Sequence, residues 1–476
     1  MENKNPAISK SFERASAAFE ELKKLSVEEK VRLIKNLRLL LANDIDALAQ
    51  TICSETGKVK TEALISDIFP CIDALDYYIK NLKKILKPEK IKTPLVFFGS
   101  SLKCEYMPSG IALVVSPWNF PFQLAFVPVL SAVLAGCSAI LKPSEVAQKT
   151  ASAIENLFNK AGFPENSVQC VFGGAEIVRE LIGAKPSRVL FTGSTKAGKE
   201  IGKLCGELLI PAVLELGGKA PAIIFEDADI EKTANGVIYG AFANSGQICV
   251  AVTRAIAERT IKDKFLETIV KKAAGLAAGR DYGALMRPER SAHLKELLAD
   301  AVRKGAKVAY NGNKENGFEN PVILDNATKD MRIWDEECFA PVLCVAAFNS
   351  ESEALELANS VSYGLSASVW SRDIKKAEGL ARGIKAGNIS INDAVTAAGI
   401  AALPFGGLKD SGFGRYHGAD GVRFFCDKIS FLINNSKGKR GSNRLPYDNA
   451  LYDDVKNFSS GKKLISSALK LFKRTK

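Results

Sequence analysis

Residues 110–142 read GIALVVSPWNFPFQLAFVPVLSAVLAGCSAILK. Residues 110–116 are an apolar run of strand length, 122–135 an apolar run of helix length, and 138–142 a second short strand. The alternation continues with a helix over 146–161, a strand over 168–172, and a strand over 188–192 that enters a Gly-rich turn. Strand–helix alternation of this kind builds a parallel sheet, usually with helices on both faces. The pattern restarts with a strand over 220–225 and a helix over 229–243. It runs through further αβ units to Ile391, which predicts a second α/β domain.

On the N-terminal side, residues 9–88 read as helices. Leu22, Leu25, Val31, Ile34, Leu37, Leu40 and Leu41 recur near helical spacing, with Lys and Glu on the other faces. Residues 93–106 place a Gly99-Ser100-Ser101 turn between two apolar runs, a hairpin signal. On the C-terminal side, 426–434 reads as a late strand and 436–443 as a basic Gly/Ser-rich linker. In 462–476, at about 100° per residue, Leu464, Ile465, Ala468, Leu469, Leu471 and Phe472 share one arc, opposite Lys462, Lys463, Lys470, Lys473 and Arg474. This is the pattern of an interfacial membrane helix. A helix packed on a partner subunit or over a substrate tunnel is the alternative.

Composition restricts the chemistry. The chain has 476 residues, 47% apolar and 25% charged, as in an ordinary multidomain globular protein with a large core. The longest apolar stretch, 125–141, carries Pro128 and Gly136 and is too short and too interrupted to span a bilayer. A net charge of +12 favours an acidic partner such as a nucleotide, an anionic membrane face or nucleic acid; a merely basic surface reads equally well. The two histidines, His293 and His417, exclude a three-His metal site. Ten cysteines without a C-x-x-C argue against zinc ribbons and thioredoxin-like sites, and read mostly as small core residues in a reducing compartment. The charged N-terminus shows no secretory signal, so the expectation is a soluble, cytoplasmic protein with no metal.

Four segments could carry chemistry. Phe191-Thr192-Gly193-Ser194-Thr195 follows a strand and opens a helix, where backbone N–H groups attract phosphate. The spacing onward to Gly198-Lys199 resembles a Walker A loop, but Glu200 stands where a Ser or Thr is needed, which rejects an NTPase. Glu215, among apolar residues beside Gly217-Gly218, suits a general base with a raised pKa, or alternatively a capping or salt-bridged glutamate. Cys249 follows a polar, Gly-containing turn. A position near a helix start would depress its pKa and make it a nucleophile; the alternative is a buried structural cysteine. Asn119, rigid between Pro117 and Pro121, could stabilise an oxyanion with its amide, or be only a turn residue.

Taken together, Pro117-Trp118-Asn119-Phe120-Pro121, Lys142-Pro143-Ser144-Glu145, Phe191-Thr192-Gly193-Ser194-Thr195, Glu215-Leu216-Gly217-Gly218-Lys219, Gly246-Gln247-Ile248-Cys249, Glu337-Cys338-Phe339-Ala340-Pro341 and Pro404-Phe405-Gly406-Gly407 resemble the NAD(P)-dependent aldehyde dehydrogenase superfamily in order and spacing. The resemblance implies Cys249 as nucleophile, Asn119 with the Cys249 backbone N–H as oxyanion hole, and Glu215 as the base that activates water. It implies a cofactor site of Trp118, Lys142, Glu145, Gly193, Ser194, Gly198, Glu337 and Phe339. Ala340 departs from the usual glycine, which bears on Glu337 and Phe339. Tyr416-His417-Gly418 and Arg444-Leu445-Pro446-Tyr447 are similar to the class 3 branch, which acts on medium- and long-chain aliphatic and aromatic aldehydes.

The fold so implied is α/β, with a Rossmann-like cofactor domain (1–90 and 110–217) and a second α/β catalytic domain (218–422). A small β oligomerisation element (91–109 and 423–436) and a tail (437–476) complete it. The activity so implied is oxidation of an aldehyde to the acid with NAD, or NADP. The alternatives are a semialdehyde dehydrogenase of small metabolites, an acylating enzyme without a Glu215-type base, and a catalytically silent relative. The expected partners are a small-molecule aldehyde, a second copy in a homodimer (or a tetramer), no nucleic acid, and a peripheral membrane contact through 462–476.

Overall fold

The structure, a computed structural model, describes residues 5–94, 100–312, 317–434 and 449–460. Two compact units divide the chain, one of Met1–Leu82 with Pro108–Phe425 and the other of Lys83–Met107 with Cys426–Lys476. The expected segments 444–447 and 462–476 lie outside the described residues.

In the larger unit, residues 110–142 form the strand Ile111–Val115, the helix Gln123–Ala135 and the strand Ser138–Lys142. The strands pair in parallel, Ile111 opposite Ser138 and Val115 opposite Lys142. Every residue of the helix is buried, so it is apolar on all sides instead of along one stripe. The apolar stretch 125–141 is therefore a core helix followed by a core strand. Each fully buried Leu or Ile in such a layer is worth about 1.5–3 kcal/mol.

The sheet has six strands, ordered Gly412–Phe413, Ala212–Glu215, Arg188–Thr192, Ile111–Val115, Ser138–Lys142, Val168–Cys170. All neighbours are parallel except the edge pair, where Gly412 lies antiparallel opposite Glu215. From Ile111–Val115 the chain moves outward in one direction to Val168–Cys170. It then returns to the other side of Ile111–Val115 with Arg188–Thr192. The order therefore reverses between these two neighbours, and clefts form beyond the carboxyl ends of strands at such a switch.

A seven-stranded sheet is ordered Lys307–Asn311, Val322–Asp325, Val342–Phe348, Val252–Glu258, Ala220–Ile224, Ser366–Trp370, Asn388–Ile391. Only its first pair is antiparallel. The period of two is visible in its cores: Ile223, Ile256 and Cys344 pack with Trp334, whereas Ala222, Ala255 and Val345 pack with Trp370.

The N-terminal helices are Pro6–Leu22, Val27–Asn43, Ile45–Thr56 and Phe69–Ile85. Ser26 and Glu29 form a reciprocal capping box at the second. A π-helical turn, Ala63–Ile68, precedes the last one. Such turns cluster at functional sites.

In the smaller unit, Glu89–Ile91, Ser100–Pro108 and Cys426–Asn434 form one sheet in that order. Glu89 pairs antiparallel with Cys104. The hairpin turn expected at Gly99 falls partly outside the described residues. Among the described residues no helix is long and apolar enough to cross a membrane.

Candidate active site

Three neighbouring strands deliver the predicted residues at their carboxyl ends. Ile111–Val115 leads to Trp118 and Asn119, Arg188–Thr192 to Gly193 and Ser194, and Ala212–Glu215 ends on Glu215. Two cavities open there, and Cys249 and Thr192 line both. The first, about 370 Å³, is lined mainly by apolar side chains, including Phe69, Phe120, Leu124, Tyr239 and Ile400, with Glu215 in its wall. The second, about 90 Å³, is lined by Trp118, Asn119, Gly193, Ser194, Arg290, Glu337 and Phe339 among others.

The loop before Cys249 is held under strain. Asn244, Ser245 and Gly246 have successive φ values of 48°, 55° and 71°, and non-glycine residues in that region cost about 1–3 kcal/mol each. Gly246 is required, because a Cβ there would lie 2.4 Å from the Ala340 carbonyl oxygen. Three contacts hold the loop in place. Asn244 N–H donates to Glu62, the Ser245 hydroxyl donates to the Gly283 carbonyl at 2.6 Å, and Gln247 Oε1 accepts from Met286 N–H at 2.9 Å.

Cys249 departs from expectation in two respects. It follows a 3₁₀ turn, Ala243–Gly246, and precedes the strand Val252–Glu258, so no helix starts there. Its thiol is pushed up to about 12, not down, by burial first and then by the Glu337 and Glu215 carboxylates. Like charges and a low dielectric both disfavour a thiolate.

Glu215 is buried, and neither carboxylate oxygen has a hydrogen-bond partner. Burial raises its pKa well above the usual carboxylate range, and the charge of Arg415 opposes this only in part. An unpartnered buried carboxylate is costly and is a strong sign of a functional group.

Asn119 Nδ2 donates to the Gln247 carbonyl at 2.9 Å. An amide carries two N–H donors, so one remains for the cavity. The Asn119 backbone carbonyl accepts from Lys58 Nζ at 2.8 Å and from Asn244 Nδ2 at 3.2 Å. Lys58 in turn pairs with Asp67 at 2.6 Å, with both side chains fully buried. Asp67 Oδ1 accepts from Phe122 N–H at 3.1 Å. A buried ion pair thus pins the Asn119 turn from behind.

The second cavity suits a dinucleotide. Ser194 caps the helix Thr195–Glu207, accepting from Ala197 N–H at 3.3 Å, and leaves a helix N-terminus beside Gly193 for an anion. Glu337 Oε1 accepts from Gly218 N–H at 3.0 Å. Phe339 meets Trp118 edge to face, with ring centroids 5.5 Å apart. A Cβ at Gly218 would lie 2.2 Å from the Cys249 carbonyl oxygen, so this crossing requires a residue without one.

Three of the predicted cofactor residues do not line this cavity. Lys142 and Glu145 form an ion pair at 2.7 Å beyond the neighbouring strand. Gly198 lies in the first turns of the helix against Leu216, where a Cβ would come within 2.3 Å of the Leu216 side chain. Sequence reasoning missed Lys58, Asp67, Thr192, Gln247 and Arg290. His417, from the Tyr-His-Gly segment, is buried, which lowers its pKa to about 3, and its Nδ1 has no partner.

These features define an α/β enzyme class with a dinucleotide-type cleft at the sheet switch point and a thiol between that cleft and an apolar chamber. The model of the Aldehyde dehydrogenase family matches residues 2–430, and the chain belongs to that family; it is an oxidoreductase acting on aldehydes. It is 38% identical, over 92% of its length and 83% of the relative's, to a 4,4′-diapolycopene aldehyde oxidase of Methylomonas sp. It is 29% identical, over 92% and 96%, to a 4,4′-diaponeurosporen-aldehyde dehydrogenase of Staphylococcus aureus. Among solved structures it is similar to a betaine aldehyde dehydrogenase of Staphylococcus aureus in complex with NAD⁺, with a TM-score of 0.85 and 28% identity over 94% and 90% of the two chains.

Proposed function

We propose that the protein oxidises apolar aldehydes to carboxylic acids with NAD⁺ and water, through a covalent intermediate on Cys249. The observation that carries the substrate class is the chamber beside Cys249, which is lined mainly by apolar side chains and by no Lys or Arg. A carboxylate-bearing semialdehyde would have no cation to pair with there. The two similar enzymes whose names denote long carotenoid aldehydes support the same class. Asp73 beside Phe69 and Tyr239 favours a second reading, a cationic aldehyde held by a carboxylate and aromatic faces. However, Asp73 Oδ2 already accepts from Ala401 N–H at 3.0 Å.

The chemistry divides between the two cavities. Cys249 adds its sulfur to the aldehyde carbon, forming a thiohemiacetal. The free N–H of Asn119 and the Cys249 backbone N–H stabilise the oxyanion. NAD⁺, when bound beside Trp118, Glu337 and Phe339, supplies the hydride acceptor and a positive charge that offsets the carboxylates facing the thiol. Loss of the hydride leaves a thioester on Cys249. Glu215 removes a proton from water as the water attacks that thioester; the C–S bond breaks, and the acid and the Cys249 thiol are released. The raised pKa of Glu215 makes it an effective base near neutral pH. Lys142 and Glu145 hold the adenosine ribose, and Glu145 repels a 2′-phosphate. A homodimer in the cytoplasm completes the proposal, in keeping with ten unpaired cysteines.

The test is a substrate panel read by NADH absorbance: hexanal, an ω-carboxy semialdehyde, betaine aldehyde and salicylaldehyde. Highest kcat/KM with hexanal or salicylaldehyde supports the reading. Preference for the semialdehyde or betaine aldehyde overturns the substrate class.

A further inference from the structure

The cavity holding Glu215 and Cys249 has an opening that is itself apolar. Ile65, Phe69, Tyr239 and Ile400 line the cavity, yet they are 50%, 62%, 47% and 39% exposed. They come from three separate elements: the π-turn leading into Phe69–Ile85, the helix Ile230–Phe242, and the residue after the 3₁₀ turn Thr396–Gly399. Single exposed apolar residues are ordinary on a protein surface, but a cluster around a cavity mouth is not. The wall that carries Ile400 is tied down, since Asp73 accepts from Ala401 N–H and Gln123 Nε2 donates to the Ala398 carbonyl at 3.5 Å.

The enclosed space limits what fits. About 370 Å³ accommodates on the order of a dozen non-hydrogen atoms at roughly 30 Å³ each. A longer chain with its aldehyde at Cys249 must emerge at the mouth. There it meets Ile65, Phe69, Tyr239 and Ile400, with no lysine or arginine among the lining residues.

We propose that this exposed apolar rim is the outer part of the aldehyde-binding surface, and that the preferred substrate is a linear apolar aldehyde longer than the cavity, with its far end resting on the rim. This rests on the apolar-aldehyde reading above and adds to it a chain length and a set of specificity-determining residues. Chain atoms beyond the cavity still gain burial against the rim, so specificity continues to rise after the cavity is full.

The experiment measures kcat/KM of the full chain for hexanal, dodecanal and hexadecanal, with Phe69→Ser, Ile400→Ser and a remote surface control, Val302→Ser. The expected result is a rise from hexanal to hexadecanal. In the two rim variants the hexadecanal-to-hexanal ratio should fall by about fivefold, as expected when roughly half of a large side chain's burial is lost. Val302→Ser should keep the wild-type ratio. Hexanal turnover without a gain beyond dodecanal overturns the rim proposal and leaves the oxidation itself intact. So does an unchanged ratio in both rim variants. A shift in the elution volume of Phe69→Ser on size exclusion would also overturn it, because the rim would then be a contact between subunits. Absence of NADH formation with every aldehyde would defeat the underlying reading instead.

Discussion

Asp67→Asn separates the scaffold behind Asn119 from the groups that react. The substitution is isosteric, and its amide oxygen can still accept from Phe122 N–H. It leaves Lys58 as a fully buried ammonium facing one carbonyl and, at 4.4 Å, the Phe120 ring. Breaking a buried pair from one side costs about 3–5 kcal/mol, so the denaturation midpoint should fall by that equivalent. Either Lys58 sheds its proton or it moves, and in both cases the carbonyl of Asn119 loses its charged donor. Deleting an oxyanion donor lowers rate by about 10²–10³; a displaced amide should lose less, roughly tenfold to hundredfold. The assay is the first-turnover rate of NADH formation, with NAD⁺ affinity measured separately by fluorescence quenching. A second variant, Lys58→Met with Asp67→Leu, should recover most of the stability, since apolar replacements of buried pairs are well tolerated. It should not recover the rate, because the Asn119 carbonyl still lacks its ammonium. Wild-type first-turnover rates in both variants would refute the pinning argument.

Other outcomes follow from the same geometry. Glu215→Gln should keep a burst of NADH but lose steady-state turnover, and near-wild-type kcat would remove Glu215 from the role of base. Glu145→Gln should raise kcat/KM with NADP more than with NAD, read by absorbance at saturating aldehyde; an unchanged ratio would show that Glu145 does not set the preference. His417 has a folded pKa of about 3 against an ordinary 6.5. Its contribution to stability is therefore complete above 6.5 and is lost as pH falls toward 3, with a slope of at most about 1.4 kcal/mol per pH unit. Denaturation of His417→Gln between those limits should show a shallower acid limb than wild type, and equal slopes would contradict this.

Much of the fold could be read from the sequence because buried parallel strands and wholly buried helices are written as continuous apolar runs, as in 110–142. Asn119, Glu215 and Cys249 stood out because prolines and glycines flank them, and those residues are needed where backbone segments cross closely, as at Gly218 and Gly246. Lys58 and Asp67 did not stand out. They lie on an N-terminal segment dense in lysine and acidic residues, where most charges face water. Only the π-turn and the packing of the Asn119 loop turn these two inward. The Cys249 titration was misread for a similar reason. Its local turn suggested a depressed pKa, whereas the carboxylates that raise it come from residues 34 positions before it and 88 after it, by subtraction of 215 and 337 from 249.

The central claim is that the acyl group rides on Cys249. The most direct measurement is to incubate Glu215→Gln protein with hexanal and NAD⁺, quench in acid, and map the adduct by peptide mass spectrometry. The expected result is a hexanoyl mass increment on the peptide containing Cys249 and on no peptide containing the other nine cysteines. A burst of NADH without any acylated cysteine, or acylation of a different cysteine, would contradict it.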